Sequence, residues 1–383
     1  MVGPKSELEA KFRARYPSAA APRFFRAPGR INLIGDHTDY NGGLVMPMAI
    51  ESACYIGVAD NGLDRFRVFS DDVQEGVEFR IGDLDSAKPR KNWTDYIIGV
   101  AAELKRAGIP LKGRDLLIES TIPIGAGLSS SAALEVASAL AMLGSSRMDP
   151  MEVVQLCQRA ENHFVGVPCG IMDQFTSVFG RAGVAMKLDC RSLEYEPVPL
   201  PRNVAIVAVN SMVKHELGTS VYRERVNECK AVLGAISEKH PEVKSLRDVT
   251  ADMLAEGFTW VPVKRARHVV SENMRVQAFA SACRAGSIQS MGVYFTQSHR
   301  SLQHDYEVSC PEVDFLVDTA LTQNGCFGAR LTGGGFGGCT VNLVTREAVP
   351  DFRTRIREAY RYSYGIDPQV LLCEPGNGAS MLA

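Results

Sequence analysis

No surplus of either charge runs through these 383 residues: 42 Lys and Arg stand against 44 Asp and Glu, a formal net charge of −2. Without a dense basic tract the chain lacks the electrostatic footprint of a nucleic-acid binder or of a protein drawn to an anionic membrane surface. No uncharged run approaches the ~18 residues of a membrane span, and "MVGPKSELEAKFRARYP" has no apolar core of the signal-peptide kind. The ten cysteines include no CxxC pair, which argues against a zinc site or a disulfide framework and predicts reduced, buried thiols. These absences predict a cytoplasmic protein with neither nucleic acid nor membrane as partner; the sequence itself does not set an oligomeric state, and the working expectation is a monomer. Repeats at periods of about 20 to 50 residues are missing as well, which excludes solenoids and propellers.

What is present is a chain long enough for two packed domains, 45% apolar and 22% charged, as expected of a globular protein with a large core. Strand-like and helical stretches are mixed throughout. "SACYIGVAD", "RFRVFS" and "DLLIES" read as strands, and Ser130 to Leu143 reads as a helix closed by Gly144. A second helix is expected over Met151 to Phe164, strands at "GVAMKLD" and "VAIVAVN", and a helix-rich stretch from Ser220 to Leu302. The proline-rich "PVPLPR", Pro197 to Arg202, predicts a soft boundary between domains at 1–198 and 199–383.

The most informative chemistry lies in "TIPIGAGLSSSAALEVA", a strand, a glycine turn and a helix start in succession. Gly125 and Gly127 let backbone amides approach a ligand, and Ser129, Ser130 and Ser131 place hydroxyls at a helix N-terminus, where free NH groups favour an anion. This is a phosphate cradle. It is not a Walker A loop, because GxxxxGK[ST] is absent, and the HRD and DFG partners of the protein-kinase loop are absent too. Glu161 continues an apolar stripe with Val154 and Cys157, so its carboxylate needs a partner or a metal; with a serine hydroxyl it suits Mg²⁺. Asp173, in "PCGIMDQF", sits in an otherwise apolar turn. A GxGxxG match at Gly333, Gly335 and Gly338 precedes strand-like "CTVNLV" rather than a helix, which argues against a dinucleotide site.

The stretch "APGRINLIGDHTDYNGG" crowds Arg30, Asp36, His37 and Asp39 onto a few residues. A ring of sugar hydroxyls is one ligand such a cluster can clasp. A transition-metal site from Asp36, His37 and Asp39 would lack a second His or a nearby Cys.

"GRINLIGDHTDY", "PIGAGLSSSA" and "LTGGGFGGC" resemble, in that order, the galactokinase signature and two motifs of the galactokinase, homoserine kinase, mevalonate kinase and phosphomevalonate kinase superfamily; "GIMDQF", "LDCRSL" and "RHVVSEN" are similar to further galactokinase blocks. The resemblance implies an α+β fold, a ribosomal-protein-S5-like N-terminal half with a ferredoxin-like C-terminal half. It implies transfer of phosphate from Mg-ATP to the C1 hydroxyl of α-D-galactose.

By the same resemblance Asp173 is the base and Arg30 stabilises charge at the reacting oxygen. Asp36, His37, Thr38, Asp39, Gly170 and Tyr222 bind the sugar. Gly125, Ala126, Gly127, Leu128, Ser129, Ser130 and Ser131 hold the phosphates of ATP, Trp93 and Tyr96 line the adenine pocket, and Ser131 with Glu161 holds Mg²⁺. The family more often carries Glu at the place of Asp36, and many relatives carry Asn at the place of Arg223. Two alternatives stay open: a sugar 1-kinase for N-acetylgalactosamine or arabinose, and an inactive galactose sensor.

Overall fold

The computed structural model describes residues 4–123, 125–144, 146–214, 218–255 and 262–382. Ile124 of the glycine turn and residues 256–261 of the helix-rich stretch lie outside them. In chain order the elements are α1 (Pro4–Arg15), β1 (Arg23–Ile34), β2 (Leu44–Asp60), β3 (Arg65–Ser70), β4 (Glu75–Arg80), α2 (Thr94–Arg106), β5 (Arg114–Ser120), α3 (Ser130–Leu143), α4 (Pro150–Arg159), α5 (Met172–Phe179), β6 (Val184–Asp189), β7 (Tyr195–Pro199) and β8 (Val204–Lys214). There follow α6 (Gly218–Lys239), α7 (Ala251–Ala255), α8 (Pro262–Arg284), α9 (Ile288–Ser301), α10 (Pro311–Leu321), β9 (Cys326–Thr332), β10 (Gly337–Thr345), α11 (Val349–Tyr364), β11 (Gln369–Cys373) and β12 (Ser380–Met381).

Among the described residues the strands form two sheets. The first has eight strands in the order β12-β1-β2-β5-β3-β4, with β6 and β7 attached to the other end of the long β2. The second is four-stranded, β11-β8-β10-β9, wholly antiparallel. Its order is that of the ferredoxin-like βαββαβ unit. The chain passes from one sheet to the other between Pro199 and Val204, and returns at the end when Ser380 and Met381 pair with Arg26 and Phe25.

Burial explains the layering. One continuous apolar core joins β1, β2, α2 and α3 to α8, α9 and the inner faces of β8 and β10, with Ile31, Val136, Phe279, Phe295 and Val341 all at 0% exposure. On its outer face the second sheet is covered by α10 and α11 through Leu316, Val317, Phe352 and Ile356. The α3 helix begins and ends where its Ala and Leu spacing places it, and Gly144 follows it with a positive φ of 65°. The second expected helix is different: it is α-helical only to Arg159, then opens into a π-helical turn over Ala160–Val165. All ten cysteines are free thiols. No helix among the described residues is long and apolar enough to cross a membrane.

Candidate active site

A cavity of about 310 Å³ lies between elements of the two sheets, its wall carrying Arg30, Asp36, His37, Asp39, Asp173 and Tyr222. Its centre is an ion pair. Arg30, on β1, donates Nε to Asp173 Oδ1 and Nη2 to Asp173 Oδ2, both at 2.8 Å, the two-pronged geometry that a planar guanidinium offers a carboxylate. Arg30 also stitches the glycine loop to the strand: its Nη1 reaches the Gly127 carbonyl at 2.7 Å and its backbone NH the Leu128 carbonyl at 3.1 Å. Asp173 is in the first turn of α5, which Ser177 Oγ fixes to β1 by a 2.9 Å bond to the Pro28 carbonyl.

The loop from Gly125 to Ser131 turns through three positive φ values, 75° at Gly125, 71° at Gly127 and 55° at Ser129, before α3 starts at Ser130. The first NH groups of that helix have no partner within it. Ser129, expected in the phosphate cradle, instead turns its hydroxyl to Asp173 Oδ2. The Ser131 hydroxyl lies beside Glu161 and, against the larger effect of burial, lowers its carboxyl. Glu161 is buried, and its hydrogen bonds come from neutral groups, Cys169 Sγ at 3.2 Å and Gln174 Nε2 at 2.7 Å. Burial pushes this carboxyl up from its ordinary value. A buried carboxylate with no cationic partner among the described residues, beside a hydroxyl, is a hard-oxygen donor set of the kind Mg²⁺ takes.

Gln174 also reaches Glu135 Oε2 at 2.9 Å, so it bridges two buried carboxyls. Trp93 and Tyr96 do not line this cavity. Trp93 donates Nε1 to Glu75 at 3.1 Å. Tyr96 lies near Glu161; burial, and then that charge, raises its hydroxyl.

The opposite wall is built from the turn between β1 and β2. Asp36 is 2% exposed and pairs with the fully buried Arg330, and its Oδ1 accepts from the Gly333 NH at 2.9 Å. His37 lines the cavity with Nε2 unpartnered among the described residues. The Asp39 carboxyl is pushed up to about 7, first by burial and then by the charge of Asp173. Gly170 packs directly on it. Helix α8 holds the turn from outside: the Asp36 carbonyl is 3.0 Å from His268 Nε2, the Gly35 NH donates to Glu272 at 2.9 Å, and the Leu44 NH donates to Asn273 at 2.7 Å.

Thr38 is corrected by the structure. It is fully buried, and its hydroxyl is directed to the carbonyls of Gly35 and Leu44 at 2.8 and 2.7 Å. It shapes the turn and does not face the cavity. The glycines of "LTGGGFGGC" form the hairpin between the antiparallel strands β9 and β10, with no helix following, so the dinucleotide reading falls. A transition-metal site at Asp36, His37 and Asp39 also falls, since Asp36 is engaged by Arg330 and His37 Nδ1 by Tyr40 at 2.8 Å. Arg330 and Gln174 were not singled out by sequence reasoning. The only local signals are that Arg330 precedes the glycine run and Gln174 directly follows Asp173.

Comparisons with known proteins agree with this geometry. Residues 10–60 match the galactokinase galactose-binding signature, 95–181 the N-terminal domain of GHMP kinases (the superfamily of the motifs above) and 279–361 their C-terminal domain. The chain is 44% identical to a galactokinase of Roseiflexus sp. (strain RS-1) over 378 residues, 97% of this chain and 96% of that protein. It is 43% identical to a galactokinase of Thermotoga maritima over 345 residues, 89% and 95% respectively. It superposes on the crystal structure of Lactococcus lactis galactokinase complexed with galactose with a TM-score of 0.94 at 35% identity, covering 99% of this chain and 100% of that one. A mevalonate kinase structure, TM-score 0.68 at 19% identity over 92% of this chain and 99% of that one, shares the fold. With relatives this similar along nearly its whole length, and with the pattern of its site residues, the chain belongs to the galactokinase family of the GHMP kinase superfamily.

Proposed function

We propose that this chain is a galactokinase that transfers the γ-phosphoryl group of ATP to the C1 hydroxyl of α-D-galactose. The observation that carries the reading is the two-pronged Arg30–Asp173 pair at the cavity wall, with the glycine loop bonded to the same guanidinium. A phosphate acceptor and a phosphate donor are thereby referred to one rigid group.

In this reaction positioning and charge neutralisation dominate. The C1 hydroxyl gives its proton to the Asp173 carboxylate as its oxygen bonds to the γ-phosphorus and the bond to the ADP oxygen breaks. Arg30 holds Asp173 in place and lowers the charge around the reacting oxygen. Amides of Gly125, Ala126, Gly127 and Leu128 and the start of α3 at Ser130 cradle the phosphates, while Ser129 steadies Asp173. Ser131 and Glu161 would hold Mg²⁺, which supplies neutralisation of the β- and γ-phosphates. Trp93 and Tyr96 are assigned to the adenine side, supported by the packing of α2 on α3. Asp36, His37, Asp39, Gly170 and Tyr222 form the sugar wall, and Asp39 accepts from the C3 and C4 hydroxyls.

A coupled assay of ADP release over galactose, glucose, N-acetylgalactosamine and arabinose tests the reading. Galactose should be turned over fastest. Galactose binding without ADP release would instead identify a sensor, and a preference for another sugar would identify another 1-kinase.

A further inference from the structure

Gln174 is fully buried and gives both hydrogens of its amide to carboxyl groups: Nε2 donates to Glu161 Oε2 at 2.7 Å and to Glu135 Oε2 at 2.9 Å. A second neutral donor reaches the same Glu161 oxygen. Cys169 Sγ stands 3.2 Å from Oε2, and its segment is fastened to the π-helical turn of Glu161 itself: the Cys169 NH donates to Asn162 Oδ1 at 2.8 Å, and its carbonyl accepts from Asn162 Nδ2 at 3.3 Å. Glu135 comes from α3, four residues beyond Ser131 and so on the same face of that helix. Gln174 comes from the first turn of α5, next to Asp173.

Each carboxylate oxygen has about two lone-pair positions. The donors from Gln174 and Cys169 fill those of Oε2, and Oε1 is left for a cation. The character of the donors matters as much as their number. A Lys or Arg at this place would cancel the charge of Glu161 and compete with a metal, whereas an amide and a thiol hold the carboxylate and leave its charge intact. Glu135 takes the second amide hydrogen and so fixes which way the Gln174 amide faces. Gln174 Oε1 has no partner among the described residues, but a reversed amide would set that oxygen against the Glu161 carboxylate and forfeit both bonds, so one open acceptor is the smaller cost. Partners of this kind orient a ligating carboxylate, and their loss typically costs about 10- to 100-fold in metal affinity.

We infer that Gln174 and Cys169 hold the Glu161 carboxylate by Oε2 in the orientation in which it takes Mg²⁺, with Glu135 anchoring the Gln174 amide; all three are positioning residues. This role rests on the reading of Ser131 and Glu161 as the metal ligands. It gives the first turn of α5 two tasks: Asp173 accepts the proton, and Gln174 aims the metal carboxylate.

The test is binding of Mn²⁺, a paramagnetic substitute for Mg²⁺, to the full chain with a non-hydrolysable ATP analogue, followed by electron paramagnetic resonance, together with calorimetric titration by galactose alone. Gln174→Leu, similar in size but without donors, should weaken Mn²⁺ binding about 10- to 100-fold and leave galactose affinity within about twofold. Cys169→Ala should weaken Mn²⁺ binding by less, and it supplies the same readout should Gln174→Leu fail to fold. Glu135→Ala should shift it in the same direction, and parental affinity there removes Glu135 from the role. Parental Mn²⁺ affinity in Gln174→Leu, or in Cys169→Ala where Gln174→Leu does not fold, overturns the inference. Equal loss of galactose and Mn²⁺ affinity marks a merely structural role and overturns it too. Glu161→Ala separates this role from the reading beneath it. If that variant binds Mn²⁺ as tightly as the parent, Glu161 is not a ligand and both fall; if it loses Mn²⁺ while Gln174→Leu keeps it, the positioning role alone falls.

Discussion

The carboxylate of Asp39 occupies the space that a Cβ on residue 170 would need. Gly170 thus leaves room for the Asp39 carboxylate at the cavity wall, 131 positions away in sequence. Gly170→Ala should displace the carboxylate and weaken galactose binding about tenfold or more, as expected for loss of a charged hydrogen bond worth roughly 1.5–3 kcal/mol. Calorimetric titration of the nucleotide-free protein measures it, and an unchanged affinity would remove Asp39 from the sugar contact.

Asp39 should also carry the preference for galactose over glucose, which differ in the direction of the C4 hydroxyl. A carboxylate built to accept from one orientation is stranded by the other, and such sites discriminate by up to about 10⁴. Asp39→Ala should lose most galactose phosphorylation and narrow the gap to glucose, with ATP affinity unchanged. Retention of the full preference in kcat/KM ratios would place selectivity elsewhere.

The raised Asp39 carboxyl, at about 7, gives galactose binding a pH dependence. Below that value the free site holds a proton where the sugar hydroxyls need an acceptor. Affinity should therefore fall as pH drops through 7 and level off above it. Binding at pH 6 should release a proton, seen as a binding enthalpy that changes with buffer ionisation heat. For stability the sign is opposite: the folded state holds a proton that the unfolded chain gives up near 4, so this group's contribution is lost as pH rises from about 4 to 7.

Asp173→Asn keeps the shape and the Arg30 contact through its carbonyl while removing proton acceptance. Turnover should drop by about 10² to 10⁴, the usual range for a lost general base. Galactose affinity, followed by titration, should change far less. Near-parental single-turnover rates would end Asp173's role as base.

Glu161→Ala should abolish the Mg²⁺ dependence of nucleotide binding and most of the turnover while sugar binding survives, since Glu161 is on the Ser131 side of the site. Equilibrium binding of Mg-ATP against ATP alone checks this without relying on activity.

Much of this was readable in the sequence because it depends on local pattern. The α3 helix is set by Ala and Leu spacing and a glycine stop, and it forms over Ser130–Leu143 as expected. The inward side of Glu161 follows from its stripe with Val154 and Cys157, although the helix that carries it widens to a π-helical turn at Ala160, a change that periodicity does not register. Thr38 shows the limit of motif position. Its neighbours face the cavity, but backbone curvature directs its hydroxyl to two carbonyls, and no sequence spacing distinguishes a ligand contact from a turn brace. Arg330 and Gln174 escaped notice because their partners are non-local: Arg330 meets Asp36 across 294 residues.

The bonds from α8 to the turn between β1 and β2 also span long distances, 232 residues for His268 to Asp36 and 237 for Glu272 to Gly35. Contacts of that separation close large loops and form late, after local helices and hairpins have appeared. In refolding from denaturant, helical circular dichroism should recover in an early phase, and galactose-binding competence only in the slowest. The sugar site then reports completion of the whole molecule, and galactose added during refolding should stabilise the last intermediate-to-native step without hastening the first.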